Sequence, residues 1–296
     1  MRTSLDCIPC LVRQALDAIR LITPDETLHR SILRTVLGWS SEIDLAQPPI
    51  ILAQRIHRYI RELTGANDPY HAAKLRLNNL ALKLLPEYSA KITASDDPLM
   101  LAAQLAIAGN VIDMGVKSAV TEDDIRQSLD ECLSGPVLGM QREFKDAAAK
   151  ANSILYLADN AGEIVFDRLL IEQLSPTRVI LAVRGTPVLN DATQNDAFAI
   201  GMNYLVRIID NGSDAPGTLL SDCRPDFIKC FDEAELIIAK GQGNYESLSD
   251  IERPIFFLFK AKCPVIAGHA GYPVGSYILT RSGQNNATGT TAAGTP

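Results

Sequence analysis

Five short apolar runs in this chain each end in residue types that bind metal ions and phosphates. Residues 154–157 lead into Ala158-Asp159-Asn160-Ala161-Gly162-Glu163, and residues 179–183 into Arg184-Gly185-Thr186-Pro187-Val188-Leu189-Asn190-Asp191. Residues 204–209 lead into the loop Asp210 to Gly217, residues 236–239 into Lys240-Gly241-Gln242-Gly243-Asn244-Tyr245, and residues 255–259 into Lys260-Ala261-Lys262-Cys263. Carboxylate and carboxamide oxygens are hard donors that suit a divalent cation such as Mg²⁺ or Mn²⁺. A lysine beside such an ion offers a point charge and N–H donors for a phosphate, and glycines let backbone N–H groups approach an anion. Asp, Asn and Gly also make turns and cap helices, so any one segment has an ordinary structural explanation. All five, however, follow apolar runs, and ligands of open α/β sheets bind beyond the carboxyl ends of the strands.

The period of the apolar residues shows which elements must position these segments. Leu11, Ala15, Ala18, Ile19 and Ile22 make one helical stripe, and Leu28, Ile32, Leu33, Val36 and Leu37 a second. Residues 51–63 make a third, stopped by Gly65, and Asp68-Pro69-Tyr70 opens a fourth that the pattern ends at Pro86. Residues 1–93 therefore read as a helical N-terminal subdomain. Residues 97–114 are a further helix; within it Asn110 and Asp113, three apart, share a face as candidates for lining a substrate pocket. Thr121 to Asp124 has the spacing of a capping box, and residues 144–151 a short helix. Beyond residue 152, near-continuous apolar runs separated by helical patterns predict a mostly parallel sheet covered on both faces, with Val265-Ile266 as one more short strand. The expected fold is α/β: a three-layer, Rossmann-like sheet over residues 94–281 beside the helical subdomain. Residues 282–296, rich in Gly, Ala, Thr and Asn, are expected to be disordered.

Composition narrows the function classes. An apolar share of 47% against 21% charged residues excludes wholesale disorder. A net charge of −7 argues against binding nucleic acid, which needs clustered positive charge. No apolar run approaches the roughly 18 residues of a membrane span, and the first residues lack the order of a signal peptide. Six cysteines are too sparse for a disulfide framework, so the expectation is a cytoplasmic protein with reduced thiols, free of membrane and nucleic acid.

Asp159-Asn-Ala-Gly-Glu163, Asn190-Asp191, Lys240-Gly-Gln-Gly-Asn-Tyr245 and Lys260-Ala-Lys-Cys263, in this order, resemble the DUF89 family, also called the damage-control phosphatase or ARMT1-like metal-binding family. Asp68-Pro-Tyr70 with Lys74 and Asn78, and residues 106–113, look like family segments too, and Cys7-Ile-Pro-Cys10 marks the CxxC-containing subgroup typical of archaea and bacteria. The likeness covers roughly residues 1–275. It implies a metal-dependent phosphatase acting on small phosphorylated metabolites such as sugar phosphates, with a divalent cation (Mn²⁺, Mg²⁺, Co²⁺ or Ni²⁺) held by Asp159, Asn160 and Asp191. It also implies that Lys240 meets the phosphate and that Glu163 is a pocket residue, with Asn244 beside Lys240 on the substrate side. The loop from Asp210 to Gly217 is a further candidate for shaping the pocket. The nucleophile is either a water molecule or a carboxylate.

Two readings from other classes stand beside this one. A Rossmann-like S-adenosylmethionine-dependent carboxyl methyltransferase would use Asp159 on a nucleoside and need no divalent ion. A non-catalytic metal- or metabolite-binding protein would bind without turnover. Cys7 and Cys10 read as a redox pair, as half of a zinc site that Cys263 or His269 could complete, or as buried thiols. His29, His57 and His71 read as surface or satisfied side chains, and Trp39 as a core residue of the helical part.

Overall fold

Alternation along the strands decides how the layers stack. In the computed structural model, which describes residues 1–109 and 120–283, the strands are β1 (Val137–Gly139), β2 (Ile154–Leu157), β3 (Val179–Val183), β4 (Arg207–Asp210), β5 (Leu236–Lys240), β6 (Ile255–Lys260) and β7 (Tyr277–Arg281). They form one sheet in the order β1-β7-β6-β5-β2-β3-β4. From β6 to β4 every pairing is parallel; β7 runs antiparallel to β6, and β1 parallel to β7. The chain leaves β2 in one direction for β3 and β4, then returns to the other side of β2 for β5 and β6. The order therefore reverses between β2 and β5, the position where ligands bind in doubly wound sheets.

Helices cover both faces. Tyr156, Ile238, Phe256 and Leu258 point to the side of α4 (His71–Thr93), α5 (Pro98–Gly109), α6 (Glu122–Ser134), α7 (Gln141–Lys150) and α8 (Glu163–Gln173). Leu155, Leu157, Ile237, Ala239, Phe257 and Phe259 point to the side of α10 (Pro225–Glu233), α11 (Gly241–Leu248) and α12 (Pro264–Ala270). Between β3 and β4 lies the short α9 (Gln194–Ala199). Both faces of the central strands are buried, which is why their sequences are apolar without alternation.

The remaining helices, α1 (Cys7–Ile22), α2 (Glu26–Ser41) and α3 (Pro49–Thr64), close over a separate apolar core of Leu11, Ala15, Ile19, Ile32, Val36 and Ile56. Asp25 caps α2, accepting from the Thr27 and Leu28 N–H groups, and Gly65 ends α3 in the left-handed conformation. Trp39 is partly buried against this core, with the Arg55 guanidinium 4.0 Å from its ring centre. Helix α4 belongs to the other core: Leu77, Ala81, Leu84 and Tyr88 pack with α5 and α8 against the sheet.

Several local expectations change. Helix α4 does not stop at Pro86 but carries it inside and runs on to Thr93. Val265 and Ile266 are helical, because Pro264 at the first position of α12, behind Cys263 as its cap, starts a helix there. Residues 204–206 precede β4 rather than belong to it. The capping box at Thr121 and Asp124 forms as its spacing implies. Asn110 and Asp113, like residues 284–296 of the C-terminal tail, lie outside the described residues. No helix among the described residues is long and apolar enough to cross a membrane.

Candidate active site

The loops that follow β2 and β3 are stitched together by backbone hydrogen bonds. Asn160 and Asp191 form an antiparallel bridge, the Ala192 N–H donates to the Asp159 carbonyl at 2.7 Å, and the Ala161 N–H donates to the Asn190 carbonyl at 2.9 Å. Leu189 in the second loop has φ 46°, a left-handed value unusual for a residue with a side chain, and the Asp191 N–H closes the turn on the Val188 carbonyl. This stitching brings Asp159, Asn160 and Asp191, adjacent to the switch point, into one buried group. Gly241 presses on it from α11: with φ 77°, a side chain there would put its Cβ 1.8 Å from Asp159 Oδ2. Only glycine leaves the Asp159 carboxylate its place.

As metal donors these residues offer two carboxylates and one carboxamide. The Asn160 Nδ2 donates to Asp159 Oδ2 at 2.7 Å and to Glu163 Oε2 at 3.1 Å, which fixes the N–H end of the amide on Asp159 and Glu163. Among the described residues, no three Cys, His, Asp or Glu side chains gather as a metal cage. The set therefore fits a hard cation that takes a few protein oxygens and completes its shell with water or substrate, as Mg²⁺ does, better than a closed structural site.

Directly beneath lies a layer of buried charge. Lys240 Nζ donates to Glu163 Oε1 and Asp167 Oδ1, both at 2.6 Å, and to the Ala106 carbonyl in α5 at 2.7 Å; all three side chains are fully buried. An ammonium has three donors, and these acceptors engage all of them. Burial by itself would lower the pKa of Lys240, but Asp167 and Glu163 outweigh it and hold the pKa raised. Tyr156 donates to the same Asp167 oxygen at 2.8 Å, and burial pushes the Asp167 carboxyl up to about 6 against the pull of Lys240. The expectation that Lys240 faces a phosphate is thus not the arrangement found. Two positions after Ile238 on a strand, its side chain points with Ile238 toward α5 and α8, into the core face. Glu163 is likewise sealed in this layer rather than lining open space.

A cation that does stand at the loop edge is Arg184, which is not among the residues expected at the site. Its side chain is 2% exposed. Nε donates to Asp191 Oδ2 at 2.7 Å, and Nη1 lies 3.4 Å from Thr218 Oγ1 and 3.3 Å from Asn244 Oδ1. Nη2 is 3.7 Å from Asp159 Oδ1 and has no hydrogen-bond acceptor. The signal was available: Arg184 is the residue that directly follows β3. Asn244, expected on the substrate side, is a brace instead. It is fully buried, its amide nitrogen donates to the carbonyls of Ala158 and Lys240, and its oxygen receives Thr218 and Arg184.

Beside Arg184 opens a polar cavity of about 210 Å³, lined by Lys74, His71 and Asp68 from the α4 end and by Gly185, Thr193 and Asp196 from the β3 side. Lys74 is 1% exposed and bridges Asp68 at 2.8 Å and Asp196 at 3.0 Å. Asn78, one turn further along α4, accepts the Gly162 N–H at 2.6 Å and so holds the entry to α8. Of the segment Asp68-Pro-Tyr70 with Lys74 and Asn78, Asp68 and Lys74 wall this cavity, Asn78 anchors the entry to α8, and Pro69 and Tyr70 line a separate pocket with His57 and Arg61. The loop from Asp210 to Gly217 does not line it: Asn211 holds the Gly185 and Ser213 N–H groups, and Asp214 pairs with Arg58 and Arg61 of α3.

The thiols stand apart from this edge. Cys7 and Cys10 open α1, and Cys263 caps α12 close enough for the three to influence one another electrostatically. Burial raises the pKa of Cys7 and of Cys10, the opposite of what a reactive thiolate needs. His57, read as a surface or satisfied side chain, is buried and its Nε2 has no hydrogen-bond partner, and His269 sits against Asp250 and Ser249.

Comparison with known proteins agrees with the fold. The model of the damage-control phosphatase ARMT1-like domain matches residues 3–278. An uncharacterized protein of Methanocaldococcus jannaschii is 34% identical, covering 93% of this chain and 94% of its own. A damage-control phosphatase of Archaeoglobus fulgidus is also 34% identical, covering 94% and 98%. The crystal structure of a DUF89 family protein from Pyrococcus horikoshii superposes with a TM-score of 0.87 at 30% identity, covering 95% of this chain and 99% of that one. By sequence and by fold alike, this chain belongs to the ARMT1-like damage-control phosphatase family, DUF89.

Proposed function

We propose that this protein is a divalent-cation-dependent phosphatase of small phosphorylated metabolites, sugar phosphates among them. The observation that carries the reading is the convergence of Asp159, Asn160 and Asp191 at the sheet's switch point, with the buried guanidinium of Arg184 between the two carboxylates. The names of the relatives, two of them damage-control phosphatases, point the same way.

Asp159, Asn160 and Asp191 are the residues that would hold the cation, which when bound supplies Lewis-acid polarisation of phosphoryl oxygens. The rest of the chemistry is the chain's own. Arg184 Nη2, buried without an acceptor, is a ready donor for a phosphoryl oxygen, and phosphoryl transfer mainly demands such fixed positive charge. The Asp191 carboxylate locks Nε, and Asn244 and Thr218 hold Nη1, so the donor is set in place before substrate arrives. The cavity beside it, with Lys74, Asp68 and Asp196 on its walls, suits the hydroxyl-rich remainder of a small metabolite rather than an apolar one. Lys240, Glu163 and Asp167 support the edge from below.

The test is release of inorganic phosphate from a panel of phosphorylated metabolites, by chelator-treated protein with Mg²⁺, Mn²⁺, Co²⁺ or Ni²⁺ restored one at a time. Release that needs the added cation supports the reading. Release that is unaffected by chelation, or none from any compound of the panel, contradicts it.

A further inference from the structure

An amide side chain can offer a cation either an oxygen or a nitrogen, and only the oxygen binds a hard ion. Asn160 is therefore a useful ligand in one of its two orientations, and its neighbours decide which. Its Nδ2 lies between Asp159 Oδ2 at 2.7 Å and Glu163 Oε2 at 3.1 Å. An ionised carboxylate has acceptors only, so both partners demand the N–H end of the amide. Glu163 is itself fixed: its other oxygen receives Lys240 at 2.6 Å, and Lys240 is held by Asp167 and by the Ala106 carbonyl. A chain of defined donors and acceptors thus runs from the buried layer up to the edge.

Resting on the reading of Asp159, Asn160 and Asp191 as cation ligands, we propose that Glu163, anchored by Lys240, is a positioning residue that fixes the Asn160 amide with its oxygen toward the cation. Ligand orientation by partners behind the ligands is a general feature of metal sites. Here it gives the buried Lys240 a function that contact with substrate does not.

Glu163→Gln tests this with little change in shape. Lys240 can only donate, so it keeps the oxygen of the new glutamine and turns the glutamine's NH₂ toward Asn160 Nδ2. Donor then faces donor. Asn160 either loses this partner or rotates, and rotation sets its oxygen against Asp159 Oδ2 and its nitrogen toward the cation. A further variant separates orientation from charge. Asp167→Asn removes the same buried charge but leaves an oxygen for Lys240 and Tyr156 and leaves Glu163 facing Asn160.

The experiment is calorimetric titration of Mn²⁺ into the chelator-treated full chain. We expect Glu163→Gln to weaken Mn²⁺ binding at least about tenfold, the scale of outer partners in metal sites, with Asp167→Asn within about threefold of wild type. Glu163→Gln binding like wild type, or Asp167→Asn as weak as Glu163→Gln, overturns the inference and leaves the ligand assignment standing. Wild type that takes up no Mn²⁺, or whose uptake is unchanged by Asp159→Ala, overturns the ligand assignment itself and the inference with it.

Discussion

Two arginine–aspartate clusters join loops of the sheet to their surroundings, under opposite terms. On the seam with the helical subdomain, Arg58 and Arg61 of α3 meet Asp214 and Asp222, assisted by Gln54 and Ser213. Arg58 is 45% exposed, and no buried arm of either arginine is without an acceptor. At the switch-point edge, Arg184 meets Asp159 and Asp191 at 2% exposure and keeps one arm without an acceptor. The seam is an adhesive whose charges are matched within the protein. At the edge the matching stops one donor short, in a place where an unsatisfied group is costly and therefore calls for a reason. Under the function proposed above, the difference separates structural salt bridges from a site, although the residue types are the same.

Substitutions at the two clusters should part accordingly. The largest effect is expected from Asp159→Ala, which should lower turnover by about 10³-fold or more, the several kcal/mol that a lost cation's charge stabilisation represents. Its fold should be intact by circular dichroism; turnover near wild type with unchanged cation content would remove Asp159 from the site. Arg184→Met keeps much of the apolar stem and should reduce kcat/KM by about 10²-fold, the scale of one lost preorganised donor. Steady-state kinetics on the best substrate of the panel check this, and a change below threefold would make Arg184 a structural salt bridge like those of the seam.

The seam should answer in stability, not turnover. His57, 5% exposed beside Arg61, has its pKa lowered to about 4, first by burial and then by that neighbouring charge. The unfolded chain binds a proton near pH 6.5 that the folded chain refuses until about 4. Stability from this group is therefore full above pH 6.5 and is lost as pH falls toward 4, by about 3 kcal/mol. Denaturant unfolding from pH 7 to 4 should show wild type losing about that much more than His57→Gln. Equal losses would place His57 in contact with water. The smallest effect belongs to Arg58→Ala: with its charge half in solvent, about 1 kcal/mol or less of stability and unchanged kcat/KM.

Much of this architecture was legible in the residues. Four of the five parallel strands announce themselves because burial on both faces makes them apolar without alternation, whereas β4 is partly exposed. Asp159, Asn160 and Asp191 were singled out by the likeness of their segments to the DUF89 family. The edge strand β1 and its neighbour β7 were missed: β1 has three residues, and only the middle three residues of β7 are buried. Pro86 misled because the helix around it is held by packing on α5 and α8 rather than by local preference. Lys240 misled for another reason. Its position at a strand end was right, but the face it points to depends on register and on the carboxylates that α8 brings beneath it, which no local pattern displays. Arg184 stands in the sequence directly after β3, but which of its nitrogens are matched depends on partners far along the chain, Thr218 and Asn244.

The central claim, that the edge with incomplete matching is where a divalent cation and a phosphate meet, is tested most directly by anomalous diffraction from crystals grown with Mn²⁺. The account predicts a manganese peak at coordination distance, about 2.1 Å for an ion of this kind, from carboxylate oxygens of Asp159 and Asp191 and from Asn160 Oδ1. A well-occupied peak elsewhere in the protein, such as between Asp214 and Asp222 on the seam, with none at the switch point, would contradict it.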